Sequence, residues 1–380
     1  MVNEMIEFDI QQSQSKVWSK LNNSIENSKI GNAYLFSGSS GVGKEAMAIE
    51  FGAVINRNFY KDDKSEADAS YLRFKKLQHE MLKLIVPLPA INTHKNNSTV
   101  IDSLSSKDLE LLNNSIAHKS KNPFHKIHLP NASRILINSI RELRRTLYLK
   151  STDIGRKIVL TFDAHLLCVG RAESANALLK LLEEPPPNTT IILVTDNKNL
   201  LLPTILSRCQ HIDFSPLPQS IIKKMLLDDS IDEKTAEFIA SISQGNMRLA
   251  LQISSESAES LMHKIQELVT SVTYPNGRKW RKFVNENSQL ARTDLQQFQL
   301  NFFLLQIWFK SAHLQRIGTS DSFQSAELHH LLDDFNQQFP KADLQKMDIL
   351  LEDTMDAIGK NLHMPLILTD LLIKIQKQLA

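Results

Sequence analysis

The chain has 380 residues, with 44 Lys and Arg against 42 Asp and Glu for a net charge of +2. That near balance argues against a surface coated in positive charge for nucleic acid, although it leaves room for a local basic face. Two cysteines, Cys168 and Cys209, make no disulfide framework and fit a reducing compartment. The opening residues lack the basic-then-apolar form of a signal peptide, and no apolar run reaches the ~18 residues of a membrane span. The expectation is a cytoplasmic protein with no membrane association and about two or three domains.

In chain order, Ala33-Tyr-Leu-Phe36 is a short apolar run bounded by Gly and Ser, which predicts a strand. It leads into Gly38-Ser-Ser-Gly41-Val-Gly43-Lys44, the glycine and lysine spacing of a P-loop, in which backbone N–H groups cradle phosphates and the lysine reaches the terminal ones. Ala46, Ile49 and Ala53 then recur at helical spacing. Strand, glycine loop and helix are what a P-loop needs, yet Glu45 stands where a Ser or Thr hydroxyl would hold Mg²⁺. Its carboxylate falls at the helix N-terminus, the place phosphates favour, and Lys44 is expected to pair with it. ATP is therefore doubtful as a cofactor.

Residues 57–131 hold no cysteine, and His79, His94, His118, His125 and His128 are irregularly spaced, so no zinc is expected. This stretch carries four more basic than acidic residues, and its middle, His94 to Thr99, predicts a loop or insertion. Lys157-Ile-Val-Leu-Thr-Phe-Asp163 predicts an apolar strand ending in an acid. Asp163 then has two readings, a helix N-cap or a metal-holding Walker B carboxylate. Ala164 follows where an ATPase of this kind places a glutamate base, and His165 is read as a hydrogen-bonded structural residue rather than a replacement.

Farther on, Ala175, Leu178, Leu179 and Leu182 mark an amphipathic helix that the prolines at 185–187 end. Thr189–Thr195 predicts a buried strand, and Leu202 to Gln210 a short helix presenting Arg208. Beyond residue 255 the pattern is helical: Leu295, Phe298, Phe302, Leu305 and Phe309 recur in three- and four-residue steps, and the habit returns from Leu366 to Leu379.

The run "NALLKLLEEPPPNTTIILVTDNKNLLLPTILSRCQ" resembles the AAA+ subunits of bacterial DNA polymerase III clamp loaders. "NSKIGNAYLFSGSSGVGKE", "INSIRELRRTLYLKSTDIGRKIVLTFDAHLL" and "SQGNMRLAL" agree with it. The resemblance covers roughly residues 8–255 and implies an α/β P-loop domain with a parallel sheet over 1–215, a small helical lid over 216–254, and a helical collar over 255–380. At least one of Phe298, Phe302 and Phe309 is then expected to face a partner subunit. Arg248 is similar to the family's sensor 2 arginine. Arg208, in "SRC", is implied to be an arginine finger acting in trans at a helix start.

The defects at Glu45 and Ala164 are similar to those of the delta-prime type, a subunit that does not hydrolyse ATP and serves as stator. The partners implied are the gamma and tau motor subunits and the delta subunit, with the sliding clamp and primed DNA met through the complex. Two other readings stand beside it: an active gamma/tau-like ATPase with an atypical site, and a DNA-binding module, which the near-neutral charge disfavours.

Overall fold

The computed structural model describes residues 8–60, 62–89, 99–149, 154–318, 326–358 and 362–379. They form two compact units: the chain up to Pro218 together with Gly245–Arg248, and Gln219–Gln244 together with the chain from Leu249 onward.

The first unit is built on five parallel strands, β1 (Ala33–Ser37), β2 (Leu82–Ile85), β3 (Lys157–Thr161), β4 (Thr189–Thr195) and β5 (Gln210–Asp213), in the order β2-β3-β4-β1-β5. The central strands are apolar on both faces because helices cover both. Tyr34, Phe36, Ile158, Leu160, Ile192 and Val194 pack toward helices Ser15–Glu26 and Lys44–Arg57. Their neighbours Ala33, Leu35, Val159, Ile191 and Leu193 pack toward Ile137–Leu147 and Glu173–Glu183. Successive side chains of a strand point to opposite faces, so each run feeds two cores. The connection after β1 leads to β2 on one side and that after β4 to β5 on the other. The carboxyl ends of β1 and β4 are thus the switch point where open α/β sheets hold ligands.

Two expected boundaries move. The strand predicted over Lys157–Asp163 stops at Thr161, since Asp163 takes a left-handed conformation (φ +49°) that turns the chain into the short helix Ala164–Cys168. The helix predicted over Leu202–Gln210 covers only Pro203–Leu206, and Gln210 opens β5. That edge strand, Gln-His-Ile-Asp, has no apolar run to announce it and takes its register from β1. The predicted loop from His94 lies outside the described residues except for Thr99. Around it, helices Lys64–Lys75 and Ser106–Lys121 are capped by the Asp63 and Ser105 side chains.

The second unit contains only helices among its described residues. Gln219–Asp228 and Glu233–Ile242 belong to it, as do Ala258–Thr273, Gly277–Thr293, Leu295–Arg316, Leu344–Asp356 and Met364–Leu379. Leu295–Arg316 is its central rod: Phe298, Leu300, Phe302, Leu304, Leu305, Ile307 and Phe309 are all buried, which surrounds the helix rather than striping it. Phe298 stacks on Phe302 at 4.4 Å between ring centroids, and Phe309 meets Phe335 at 6.1 Å. The expectation that at least one of the three phenylalanines faces a partner is corrected: Phe298, Phe302 and Phe309 are each 0% exposed in the free chain.

Each of Phe298→Ala, Phe302→Ala and Phe309→Ala is therefore expected to destabilise the free chain by ~3–5 kcal/mol, read as a lowered urea midpoint. A variant that melts like the parent would put that ring at a surface.

Candidate functional site

The loop after β1 has a backbone that glycine alone adopts easily. Gly38, Gly41 and Gly43 have φ of +146°, +71° and +94°, a region that strains side-chain-bearing residues. Gly43 opens the helix Lys44–Arg57, whose first turn has no side-chain cap. Its free N–H groups and the positive end of its dipole make an anion site.

Lys44 extends from this turn but does not point to solvent; its side chain is 4% exposed. Nζ donates to the Gly38 carbonyl at 2.7 Å and to the Ser39 carbonyl, and pairs with Asp196 Oδ1 at 2.7 Å. An ammonium has three donors, and all three are taken. The expected Lys44–Glu45 pair is corrected. Consecutive residues of a helix do not face each other, and Asp196, directly after β4, reaches Lys44 across the switch point.

Glu45 finds its counter-ions elsewhere. Its carboxylate accepts from Lys119 Nζ and lies 3.8 Å from Arg248 Nη2. Lys119, whose side chain is fully buried, spends its other donors on the carbonyls of Pro123 at 2.9 Å and His125 at 2.7 Å. Its Nζ also lies 5.1 Å from the centre of the Phe162 ring. Burial would raise the Glu45 carboxyl, but Lys119 and Arg248 outweigh it and hold the group below its ordinary value. At Asp196, Lys44 and Lys126 likewise overcome burial and hold the carboxyl low.

Arg248 closes the cleft from the segment Gly245–Arg248. Its Nε donates to the Phe124 carbonyl at 2.9 Å and its Nη1 to Ser40 Oγ at 2.9 Å. One residue earlier, the Met247 N–H donates to the Gly41 carbonyl at 3.0 Å. The space left between these groups is only about 10 Å³, roughly what one water needs, and is lined in part by Gly41, Lys44, Glu45, Phe124, Asp196 and Arg248.

Asp163 stands at the N-cap position of Ala164–Cys168, yet its side chain makes no capping bond. It pairs with Lys126 at 2.8 Å, and Asp163 and Asp196 raise the Lys126 ammonium against the burial that would lower it. Ala164 is fully buried, and His165 Nδ1 lies 3.0 Å from Thr195 Oγ1. Where hydrolysis needs a lysine free for phosphate, a hydroxyl for Mg²⁺ and a carboxylate for water, this cleft presents a committed lysine, a committed glutamate and a methyl group. Among the described residues, no group of three or more His, Cys, Asp and Glu side chains is placed to hold a metal ion.

Gly38, Gly41, Gly43, Lys44 and Arg248 thus meet at one cleft, while Asp163 holds Lys126, whose charge acts on Asp196 and Glu45. Arg208 belongs to a different site. It follows the end of helix Pro203–Leu206 rather than starting a helix, which corrects the expected placement. Its guanidinium bonds the Thr204 carbonyl at 2.9 Å and Glu183 Oε1 at 2.6 Å, with about a third of the side chain exposed. The sequence reading missed Asp196, Lys119 and Lys126. Asp196 had a signal, an acid directly after a buried strand like Asp163; the two lysines had none, lying on a helix and a loop far from the P-loop in sequence.

A five-stranded parallel sheet with a P-loop at its switch point, accompanied by a helical second unit, defines an AAA+ type of P-loop protein. Residues 13–218 match the family described as DNA polymerase III, delta subunit, and the chain belongs to that family. It is 25% identical over 254 residues to the DNA polymerase III subunit delta' of Bacillus subtilis, across 66% of this chain and 63% of that one. It is 26% identical over 246 residues to the tau subunit of the same organism, across 63% and 36%. To the gamma subunit of Buchnera aphidicola it is 32% identical over 133 residues, across 33% and 36%. The match thus spans less than two thirds of the length of each of these relatives. No described helix is long and apolar enough to cross a membrane.

Glu45→Ala is expected to remove ~3–5 kcal/mol of stability, because it leaves the Lys119 ammonium buried without its counter-ion. A folded-state value below the ordinary 4.5 means that the carboxylate stabilises above about pH 4.5 and that this contribution is lost as pH falls through the lowered value. Urea titrations at stepped pH should show a shallower acid limb for Glu45→Gln than for the parent; identical limbs would exclude the pair as its source.

Proposed function

We propose that the chain is a subunit of the DNA polymerase III sliding-clamp loader that does not hydrolyse ATP, a stator beside which gamma or tau motor subunits work. The carrying observation is the commitment of Lys44 and Glu45 to Asp196 and Lys119, which leaves neither P-loop side chain free for a terminal phosphate or a metal. Overall identity does not separate the delta' from the tau relative, at 25% and 26%; the residues of the cleft favour the non-hydrolysing reading over an active gamma/tau-like ATPase. In this reading residues 1–215 are the nucleotide-fold domain, 216–254 a lid and 255–380 a collar through which the subunit joins gamma or tau and delta. The sliding clamp and primed DNA are met through the complex.

Arg208 is the group offered to a neighbour. An exposed arginine–carboxylate pair such as Arg208–Glu183 is worth roughly 0–1 kcal/mol, so a γ-phosphate at the adjoining motor site can draw the guanidinium away at small cost. There it would stabilise charge developing in the transition state, worth ~10³–10⁵ in rate for fingers of this kind.

Two measurements test the reading. Calorimetry of the purified chain with Mg-ATP is expected to show no micromolar binding, and turnover no higher than that of Lys44→Ala; turnover that the substitution abolishes would establish a working ATPase instead. In the reconstituted loader, Arg208→Ala is expected to leave assembly intact while one motor site loses up to ~4–7 kcal/mol of transition-state stabilisation. Arg208→Lys should do nearly as much harm, as an ammonium lacks the planar fork. Normal clamp loading by an Arg208→Ala complex would return Arg208 to the role of a surface partner of Glu183.

A further inference from the structure

The second unit carries a basic turn that its own packing does not use. Helix Gly277–Thr293 begins Gly-Arg-Lys-Trp-Arg-Lys, with Arg278, Lys279, Arg281 and Lys282 all exposed and no acid in its first turn. Cations there oppose the helix dipole, which favours negative charge at this end. Arg278 also stands three and four residues from Arg281 and Lys282, spacings at which like charges repel. The acids nearby are spoken for: Glu267 and Glu286 lie 2.9 and 3.9 Å from Lys282. Arg278, Lys279 and Arg281 form no ion pair among the described residues, although Lys279 adds to the field that lowers Glu267. The N-terminal amides of the turn are capped by Asn276, whose Oδ1 accepts from the Arg278 and Lys279 N–H groups, so what the turn presents is side-chain charge. Four cations within five residues stand out in a chain of net charge +2.

The geometry points to a binding surface for the phosphate backbone of duplex DNA, formed by Arg278, Lys279 and Arg281. A concentrated, unpaired cationic face suits a dense row of phosphates, whose neutralisation releases counter-ions. Duplex is favoured over single strand because the rings at the turn are tied to the protein rather than free to take a stacked base, Tyr274 included although it is 39% exposed. Trp280 is partly buried with its indole nitrogen inside the protein, and the Tyr274 ring packs edge-on to Phe339 with its hydroxyl bonded to Gln338. Single-strand binders depend on such exposed rings. The surface goes beyond the function proposed above, where DNA is met only through the assembly, and it is independent of the state of the P-loop.

The test is fluorescence anisotropy of a labelled duplex of unrelated sequence with the full chain, from 50 to 200 mM salt. Three phosphate contacts predict a slope of about −2.7 in log affinity against log salt, a loss of roughly 40-fold across that range. The triple variant Arg278→Gln, Lys279→Gln, Arg281→Gln should abolish binding at 50 mM salt while its circular dichroism and melting match the parent. The same change at Arg141, Arg144 and Arg145, another exposed basic stretch, should leave binding intact. No duplex binding by the parent at 50 mM salt, unchanged binding by the triple variant, loss on changing the control stretch instead, or equal affinity for a single strand would each overturn the proposal. None of these results bears on the Mg-ATP and Arg208 measurements, so the two readings fail separately.

Discussion

The first unit depends on two buried ion pairs that fill a phosphate site with the chain's own charges. Lys44 with Asp196 and Glu45 with Lys119 place cation against carboxylate where a nucleotide fold ordinarily places cation against phosphate. Buried charge is costly unless it is paired and fully hydrogen-bonded, and the two ammonium groups meet that condition: Lys119 satisfies its donors with Glu45 and two carbonyls, Lys44 with the partly exposed Asp196 and two carbonyls. The pairs also join distant parts of the unit. Lys119 lies in the last turn of the helix Ser106–Lys121, Asp196 follows β4, and both converge on consecutive residues of one helix turn.

Arg248 adds a third cation with less compensation, since its nearest carboxylate is Glu45 at 3.8 Å and its firm bonds go to Ser40 and Phe124. The fixed fork of a guanidinium spans three separate acceptors at once, which an ammonium on a flexible stem does poorly. Arg248 thereby ties the loop after β1 to the segment Pro123–Lys126.

The sequence made the sheet legible because the central strands are uninterrupted apolar runs, β4 matching its expected Thr189–Thr195. It hid β5, whose residues are polar and whose strand character comes only from hydrogen bonds to β1. It announced the long helix Leu295–Arg316 but not its environment, for a periodic row of phenylalanines reads alike whether its opposite face is wet or buried. The glycines, Lys44 and Arg248 were legible through motif spacing. Their partners were not: Lys119 lies 74 residues from Glu45, and no local pattern foretells a buried ion pair closed over that separation. Arg208 was singled out by the resemblance alone, and neither its place after a helix end nor the carboxylate it holds, Glu183, was foreseen.

Glycine at 38, 41 and 43 suggests a phosphate cradle, since a P-loop needs a backbone open to its ligand, but each of the three has a second cause in this chain. A Cβ on Gly38 would lie 2.5 Å from the Phe214 carbonyl oxygen, one on Gly41 1.6 Å from Asn246 Oδ1, and one on Gly43 2.5 Å from Ile10 Cδ1. Backbone approach therefore bars a side chain at Gly38 whether or not a phosphate ever enters, while at Gly41 and Gly43 the obstacles are side-chain ends that can shift and the positive φ is the stronger demand for glycine. The discriminating residues are the two that follow. A lysine turned back onto Gly38, Ser39 and Asp196, and a glutamate where a hydroxyl would serve a metal, are features that close packing alone does not require, and the proposal of a non-hydrolysing subunit rests on them.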